Sequence, residues 1–441
     1  MLARPRTAVL SALVGLVLVI AAMAVPAVLS DDVRVHWPPL HAFWGPRFDP
    51  LLLVAVATAV LLWSALPRAC RDLPWRVVVV LATVSSWLWT CALGLSDGRY
   101  GFSRVYGRKS EYLNDATEVR DVPAALHDFV ERIPSAADDN WHTHVAGHPP
   151  GALLSFVGLD RVGIDDPFWV AMVVVTIGAT SVAAVLLTLD LLGSRDLARR
   201  AAPWLALAPL VVWAGVSADY YFAAVAAWGL YLLARAAVAV GPRSWALGVG
   251  AGLLLGWCVF LSYGLVLLGI LALAVLWLAH GRDAERPRAG WRVLPWAVGG
   301  ALVVTAAFSA YGFHWWEAYP VLRERYYEGI ASERAYGYWV WANVAAWTFT
   351  AGLAVWAAFP AAADAARRRV PLAVLAGAGV ATIVAATLSG MSKAEVERIW
   401  LPFTIWVVAI PALLPDRWQR PLLASQLVLG LLAQTLLITR W

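Results

Sequence analysis

The sequence predicts an all-α polytopic membrane protein of about 13 transmembrane helices, within a range of roughly 11 to 14, with a long outer loop carrying juxtamembrane helices. Three observations lead there. Of 441 residues, 61% are hydrophobic and only 14% charged, whereas a soluble domain carries roughly 25% charge. The apolar residues fall in runs of about the length that crosses a ~30 Å hydrocarbon core. The arginines fall in short connectors between those runs, where they report topology. The net charge of +5 therefore points to no nucleic-acid partner.

Taken in order, the apolar segments lie near 8–30, 50–66, 74–95, 166–193, 202–216, 218–236, 245–262, 264–280, 294–312, 338–360, 371–389, 399–414 and 421–438. The first follows Arg4 and Arg6 like the opening of a signal peptide. It is long and lacks a small-residue cleavage site, so it reads as a retained span. With the N-terminus placed in the cytoplasm, the inner loops carry Arg68 and Arg71; Arg195, Arg199 and Arg200; Arg235 and Arg243; Arg282, Arg286, Arg288 and Arg292; Arg367 to Arg369; and Arg417 and Arg420. A further piece, Gly151–Gly163, is short for a span. Were it one, every later basic loop would face outward, so it reads as a helix lying at the interface. Residues 1–73 form two accessory spans, 74–415 a core with its outer loop at 96–165, and 416–441 a last span.

That loop is the longest polar interruption of the chain, and the scaffold around it makes it the place for chemistry or recognition. It carries Glu111 and Asp115 early and closes on His142-Thr143-His144-Val145-Ala146-Gly147-His148-Pro149-Pro150-Gly151. Asp219, Glu317, Glu395, Glu397 and Arg398 fall on the same predicted outer face. Ionisable groups near span ends are costly unless paired or wetted, so these are site candidates. Asp219 opens a span two residues after Ser217, where N-capping is an equal explanation. Arg398 offers a planar guanidinium to phosphate or carboxylate, or anchors the interface by pairing with Glu395 or Glu397. His142, His144 and His148 have a spacing that can hold a divalent metal given a further ligand; the same imidazoles serve equally to contact phosphate or main-chain carbonyls. Nothing in the sequence requires a cofactor. Trp315, Trp316, Tyr326 and Tyr327 lie in an amphipathic stretch where interface anchoring is favoured over sugar stacking. Cys70, Cys91 and Cys258 are scattered and read as small buried apolar residues.

The order of these features resembles the GT-C class of membrane glycosyltransferases, which includes protein O-mannosyltransferases, aminoarabinose transferases and actinobacterial arabinosyl- and mannosyltransferases. The resemblance covers about 74–415 and rests on four motifs. Span 74–95 is followed by Glu111-Tyr112. His148-Pro149-Pro150-Gly151 is similar to the His-Pro-Pro-Leu motif of the class, with glycine for leucine. Ser217-Ala218-Asp219 looks like its Thr-Asp, and Glu397-Arg398-Ile399-Trp400-Leu401-Pro402 like its Arg-Tyr-x-x-Pro. The acid that follows the first core span has no clean counterpart, since Asp97 is near the span end and Glu111 and Asp115 lie further along. A middle-span Lys-Tyr stands here as Ser262-Tyr263.

The resemblance implies an inverting transfer of a sugar from a polyprenyl-phosphate donor to a glycan, lipid or protein acceptor at the outer face of a bacterial cytoplasmic membrane. Glu111 is the expected general base, with Asp115 close behind. His144, His148, Arg398, Asp219, Glu395, Glu397 and Tyr263 are the expected contacts to donor phosphate and substrate. The dominance of arginine, with lysine only at 109 and 393, fits a GC-rich bacterial genome. The alternatives are a secondary transporter, or a ligase or flippase for lipid-linked polymers of the cell envelope.

Overall fold

The structure, a computed structural model, describes residues 5–29, 32–280 and 290–439. Arg4 and the loop arginines 282, 286 and 288 lie outside it. Among the described residues nine helices are long and apolar enough to cross a membrane, or up to ten if the bent pair Tyr336–Ala351 and Leu353–Arg367 is one span. The nine are Pro5–Leu29, Leu52–Asp72, Trp75–Asp97, Pro167–Leu192, Asp219–Val238, Pro242–Leu261, Tyr263–His280, Gly290–Ala310 and Pro371–Leu388. This is an all-α polytopic membrane architecture. Its one described sheet pairs Ala42–Trp44 with Leu437–Thr439.

Two expected spans are not continuous helices. In 202–216, the helix Arg195–Ala206 stops and a four-residue turn of helix, Val211–Ala214, follows. In 399–414 there are only short pieces, Val396–Ile399, Leu401–Thr404 and a 3₁₀ turn at Ile410–Leu413. Pro203 and Pro209 interrupt the first, Pro402 and Pro411 the second, each removing a main-chain donor. Irregular backbone at membrane depth is tolerated only inside protein, and residues 201–220 and 400–412 are buried without exception.

Both broken runs extend from one end of the bundle to the other. At one end Arg200 donates to the carbonyls of Ala412 (3.0 Å) and Leu414 (2.9 Å), and Arg199 to those of Cys70 and Leu73 (both 2.8 Å). At the other, the side chains of Asp219 and Arg398 meet. The helix Asp416–Leu436 also runs the full length, from the ion pair of Asp416 with Arg200 to the carbonyl of Gln434, which accepts from Arg47.

The bent pair turns by 101° at Gly352. Its φ of 78° is a conformation that glycine adopts without strain. A Cβ there would also meet the Gln426 amide, whose Nε2 donates to the carbonyl of Ala351 at 2.8 Å.

The long loop folds into short helices over the second end, among them Tyr100–Tyr106, Tyr112–Glu118, Thr143–Ala146 and Pro150–Arg161. The last is the piece expected to lie at the interface, and it forms a helix of 12 residues. Half of it is buried in protein, where Gly151 packs on the main chain of Phe260 and Phe156 stacks on Tyr112 with centroids 4.9 Å apart. The expected amphipathic helix forms at Trp315–Glu328 and docks on the loop through Arg325, which donates to the carbonyls of Ile133 and Trp141.

Candidate functional site

The two ends of the long loop are stitched together. Asp115, 2% exposed, accepts from the main-chain N–H of His142 at 3.2 Å and from its Nδ1 at 2.8 Å. The N–H of His144 donates to the carbonyl of Ser110 at 3.0 Å. Asp115 therefore fastens the loop and does not line the cleft described below. Its burial raises its pKa, and the bond with His142 opposes the rise.

Glu111 stands one residue before the helix Tyr112–Glu118 in extended conformation and caps nothing. Its Oε1 lies 3.3 Å from Nε2 of His144. Burial pushes Glu111 up to about 7; Arg398 pulls it down and Asp219 adds to the rise. Burial first, then Arg398 and His148, hold His144 well below the usual imidazole range. His148 is lowered too, chiefly by burial, and its Nδ1 donates to the carbonyl of His144 at 2.8 Å. A carbonyl only accepts, so the proton of neutral His148 is on Nδ1 and Nε2 keeps its lone pair.

Asp219 does not cap its helix. Ser217 Oγ donates to its Oδ2 at 2.5 Å, and Arg398 Nη1 donates to the same oxygen at 3.1 Å. The other Nη of Arg398 reaches Glu395 Oε2 at 3.0 Å. Glu395 also lies 3.4 Å from His41 Nδ1 and 3.6 Å from Arg334 Nη1. Although burial pushes the Glu395 carboxyl upward, the bond from His41 and the two guanidiniums hold it below the usual carboxylate range.

Placing Glu395 there strains the backbone. Ala394 and Glu395 sit at φ 70° and 65°, a left-handed conformation that costs a side-chain-bearing residue about 1–2 kcal/mol. Neighbours hold the turn. Asn343 accepts from the N–H of Ala394 at 3.1 Å and donates to the carbonyl of Ser392, and Arg334 donates to that of Lys393 at 2.7 Å. Tyr326 accepts from the N–H of Lys393 at 3.1 Å. Strain retained at such expense is typical of functional sites.

Glu111, Tyr112, Val216, Ser217, Ala218, Asp219 and Arg398 line one narrow cleft. The expected residues Glu111, Asp219 and Arg398 thus converge, with His144, His148 and Glu395 directly behind them. Other candidates lie outside that lining. Glu397 is buried behind the cleft, its carbonyl accepting from Thr350 at 3.3 Å. Tyr263 packs in an aromatic cluster with Trp315 and Tyr319, at 5.3 and 5.6 Å, and takes no part in the cleft. His142, His144 and His148 turn to three different partners, and among the described residues no group of three His, Cys, Asp or Glu side chains is arranged to hold a metal ion.

His41, Arg334 and Asn343 escaped the sequence reading, because nothing local links a histidine near residue 40 to a turn near residue 395. Tyr106 escaped it too. Its ring is buried near Glu111, Asp219 and Arg398, and its hydroxyl has no hydrogen-bond partner among the described residues. No protein-family model and no curated protein matches the sequence.

Proposed function

We propose that the chain is an inverting membrane glycosyltransferase, moving a sugar from a polyprenyl-phosphate donor to an acceptor hydroxyl at the outer face of a bacterial cytoplasmic membrane. The observation that carries this reading is the meeting of Glu111, Asp219 and Arg398, from three distant parts of the chain, in one cleft under the long loop. A carboxyl near 7 suits a general base at neutral pH. In the proposed step the acceptor oxygen bonds to the anomeric carbon and Glu111 takes its proton. The bond from that carbon to the phosphate oxygen breaks, and the phosphate leaves with the electron pair. Arg398 meets the charge that develops on the leaving oxygen. Asp219 accepts from sugar hydroxyls and holds Arg398.

The topology is part of the proposal. Adding the two broken runs and the helix Asp416–Leu436 to the ten crossings brings the count to thirteen. Arg199, Arg200, Arg369 and Arg420 then lie at the inner end and the cleft at the outer one, as the positive-inside rule requires. A transporter would keep charged groups near midplane. Here the buried carboxylates and cations among the described residues, Glu111, Asp115, Asp219, Arg334, Lys393, Glu397 and Arg398, gather at the cleft end.

The test is transfer by the purified protein from radiolabelled polyprenyl-phosphate monosaccharides. Label should move to an acceptor with wild type and not with Glu111→Gln. Failure with every donor would overturn the assignment and favour the polymer ligase or flippase.

A further inference from the structure

The backbone of the long loop sets His144 beside Glu111. The N–H of His144 donates to the carbonyl of Ser110, the residue before Glu111, at 3.0 Å. The bonds between Asp115 and His142 fasten the same two segments. Nε2 of His144 then stands 3.3 Å from Oε1 of Glu111, and the two side chains are only 12% and 10% exposed. Little of either is left open to water.

Proton counting limits what His144 can do. Burial first, then Arg398 and His148, keep its imidazole neutral, and a neutral imidazole has one N–H. Opposite an ionised Glu111, a lone pair on Nε2 would repel Oε1, so the N–H belongs on Nε2 and the lone pair on Nδ1. A lone pair also repels a phosphate oxygen. His144 is therefore a poor contact for the donor phosphate, the part expected of it, and a good donor to the carboxylate. At 3.3 Å the contact is long for a hydrogen bond, and bonds of this kind tighten when substrate closes a site. With Oε1 held, Oε2 is the oxygen left to the cleft that Glu111 lines.

We propose that His144 is a positioning residue for Glu111, its Nε2–H holding Oε1 so that Oε2 faces the acceptor hydroxyl. The proposal rests on the transferase reading. The acceptor proton goes to Oε2, and no bond to His144 is made or broken. The other groups facing Glu111 are Arg398 and Arg108, which favour its carboxylate, Asp219 and Glu395, which oppose it, and the hydroxyls of Tyr106 and Tyr112. All of them are common to the variants below, so a change in pH profile reports the His144 donor.

The test is kcat/KM against pH for the purified full chain, with radiolabelled polyprenyl-phosphate monosaccharide as donor, in wild type, His144→Phe and His144→Gln. Phenylalanine keeps a ring and removes the N–H. Loss of a charge-assisted bond to the ionised form moves the apparent pKa of Glu111 up by about 1–2 pH units. His144→Phe should therefore be slower by about 5- to 50-fold at pH 7 and recover most of that by pH 9. Glutamine brings an amide N–H close to the place of Nε2 and should restore both rate and profile, and the KM for donor should stay near wild type in both variants. A loss equal at every pH, or glutamine no better than phenylalanine, would overturn the proposal. So would a raised donor KM with an unchanged profile, which would return His144 to the phosphate. Infrared titration reads the Glu111 carboxyl directly, as the band that Glu111→Gln lacks, and needs no turnover. An upward shift of that titration in His144→Phe, in a protein without transfer activity, would sink the transferase reading and leave the pair standing. No shift there would overturn the pair.

Discussion

Glu111 and His144 lie 3.3 Å apart, and burial acts on them in opposite senses, raising the acid to about 7 and lowering the imidazole. Below that pH the proton of the pair is on Glu111; above it the carboxylate is free and faces a neutral imidazole. The rate of transfer should therefore rise with pH through an apparent pKa near 7, and Glu111→Gln should lower it by about 10²–10⁴-fold. The measurement is kcat/KM against pH. A flat profile from about pH 6 to 8 counts against Glu111 as base.

The same shift fixes the sign of a stability effect. The folded-state value of about 7 lies above the ordinary 4.5, so the folded protein favours protonated Glu111. Stability from this group is complete below about 4.5, falls as pH rises to 7, and stays at its lower level beyond. Glu111→Gln should raise the thermal midpoint relative to wild type more at pH 8 than at pH 5. Scanning calorimetry in detergent at both pH values reads the difference directly, and the opposite order refutes the buried-acid assignment.

Asp115 shares the loop but has a different duty. Its hydrogen bonds to His142 close the loop, so Asp115→Asn should cost about 1–3 kcal/mol of stability with turnover per folded molecule near that of wild type. Comparing melting curves with active-site-normalised rates separates the two acids. Loss of turnover without loss of stability would move the base from Glu111 to Asp115.

Arg398 is buried between Asp219 and Glu395. Removing one member of such a pair strands the other and typically costs about 3–5 kcal/mol. Arg398→Met and Asp219→Asn should each be strongly destabilising, and the double variant should be destabilised by less than their sum. Additive losses in that cycle mean that the two side chains do not interact.

Ala394 has a φ of 70°, where glycine carries no Cβ penalty. Ala394→Gly should stabilise the protein by about 1 kcal/mol and leave transfer intact, since Glu395 keeps its partners. A lower thermal midpoint would show that the turn is not strained as its φ implies.

Much of this was legible in the sequence because lipid imposes simple rules. Long apolar runs must be helices, and charges in such a chain are few enough that Glu111, Asp219 and Arg398 stood out. The breaks at Pro209 and Pro402 were not legible as breaks, because a buried irregular segment has the same apolar composition as a helix. Partners were not legible either. That Asp115 turns to His142, that His41 reaches Glu395, and that Tyr263 belongs to an aromatic cluster are facts of tertiary packing. They leave no local pattern of spacing or charge.

The small sheet between Ala42–Trp44 and Leu437–Thr439 has a bearing on biosynthesis. Residues 437–439 leave the ribosome nearly four hundred residues after their partners, so the early segment that supplies His41 and Arg47 waits for them while everything between is made. The carbonyls that accept from Arg47 and Arg104 come from the same late stretch. Until that stretch is made, the strand beside His41 lacks its pairing partner and Arg47 lacks the carbonyls it donates to.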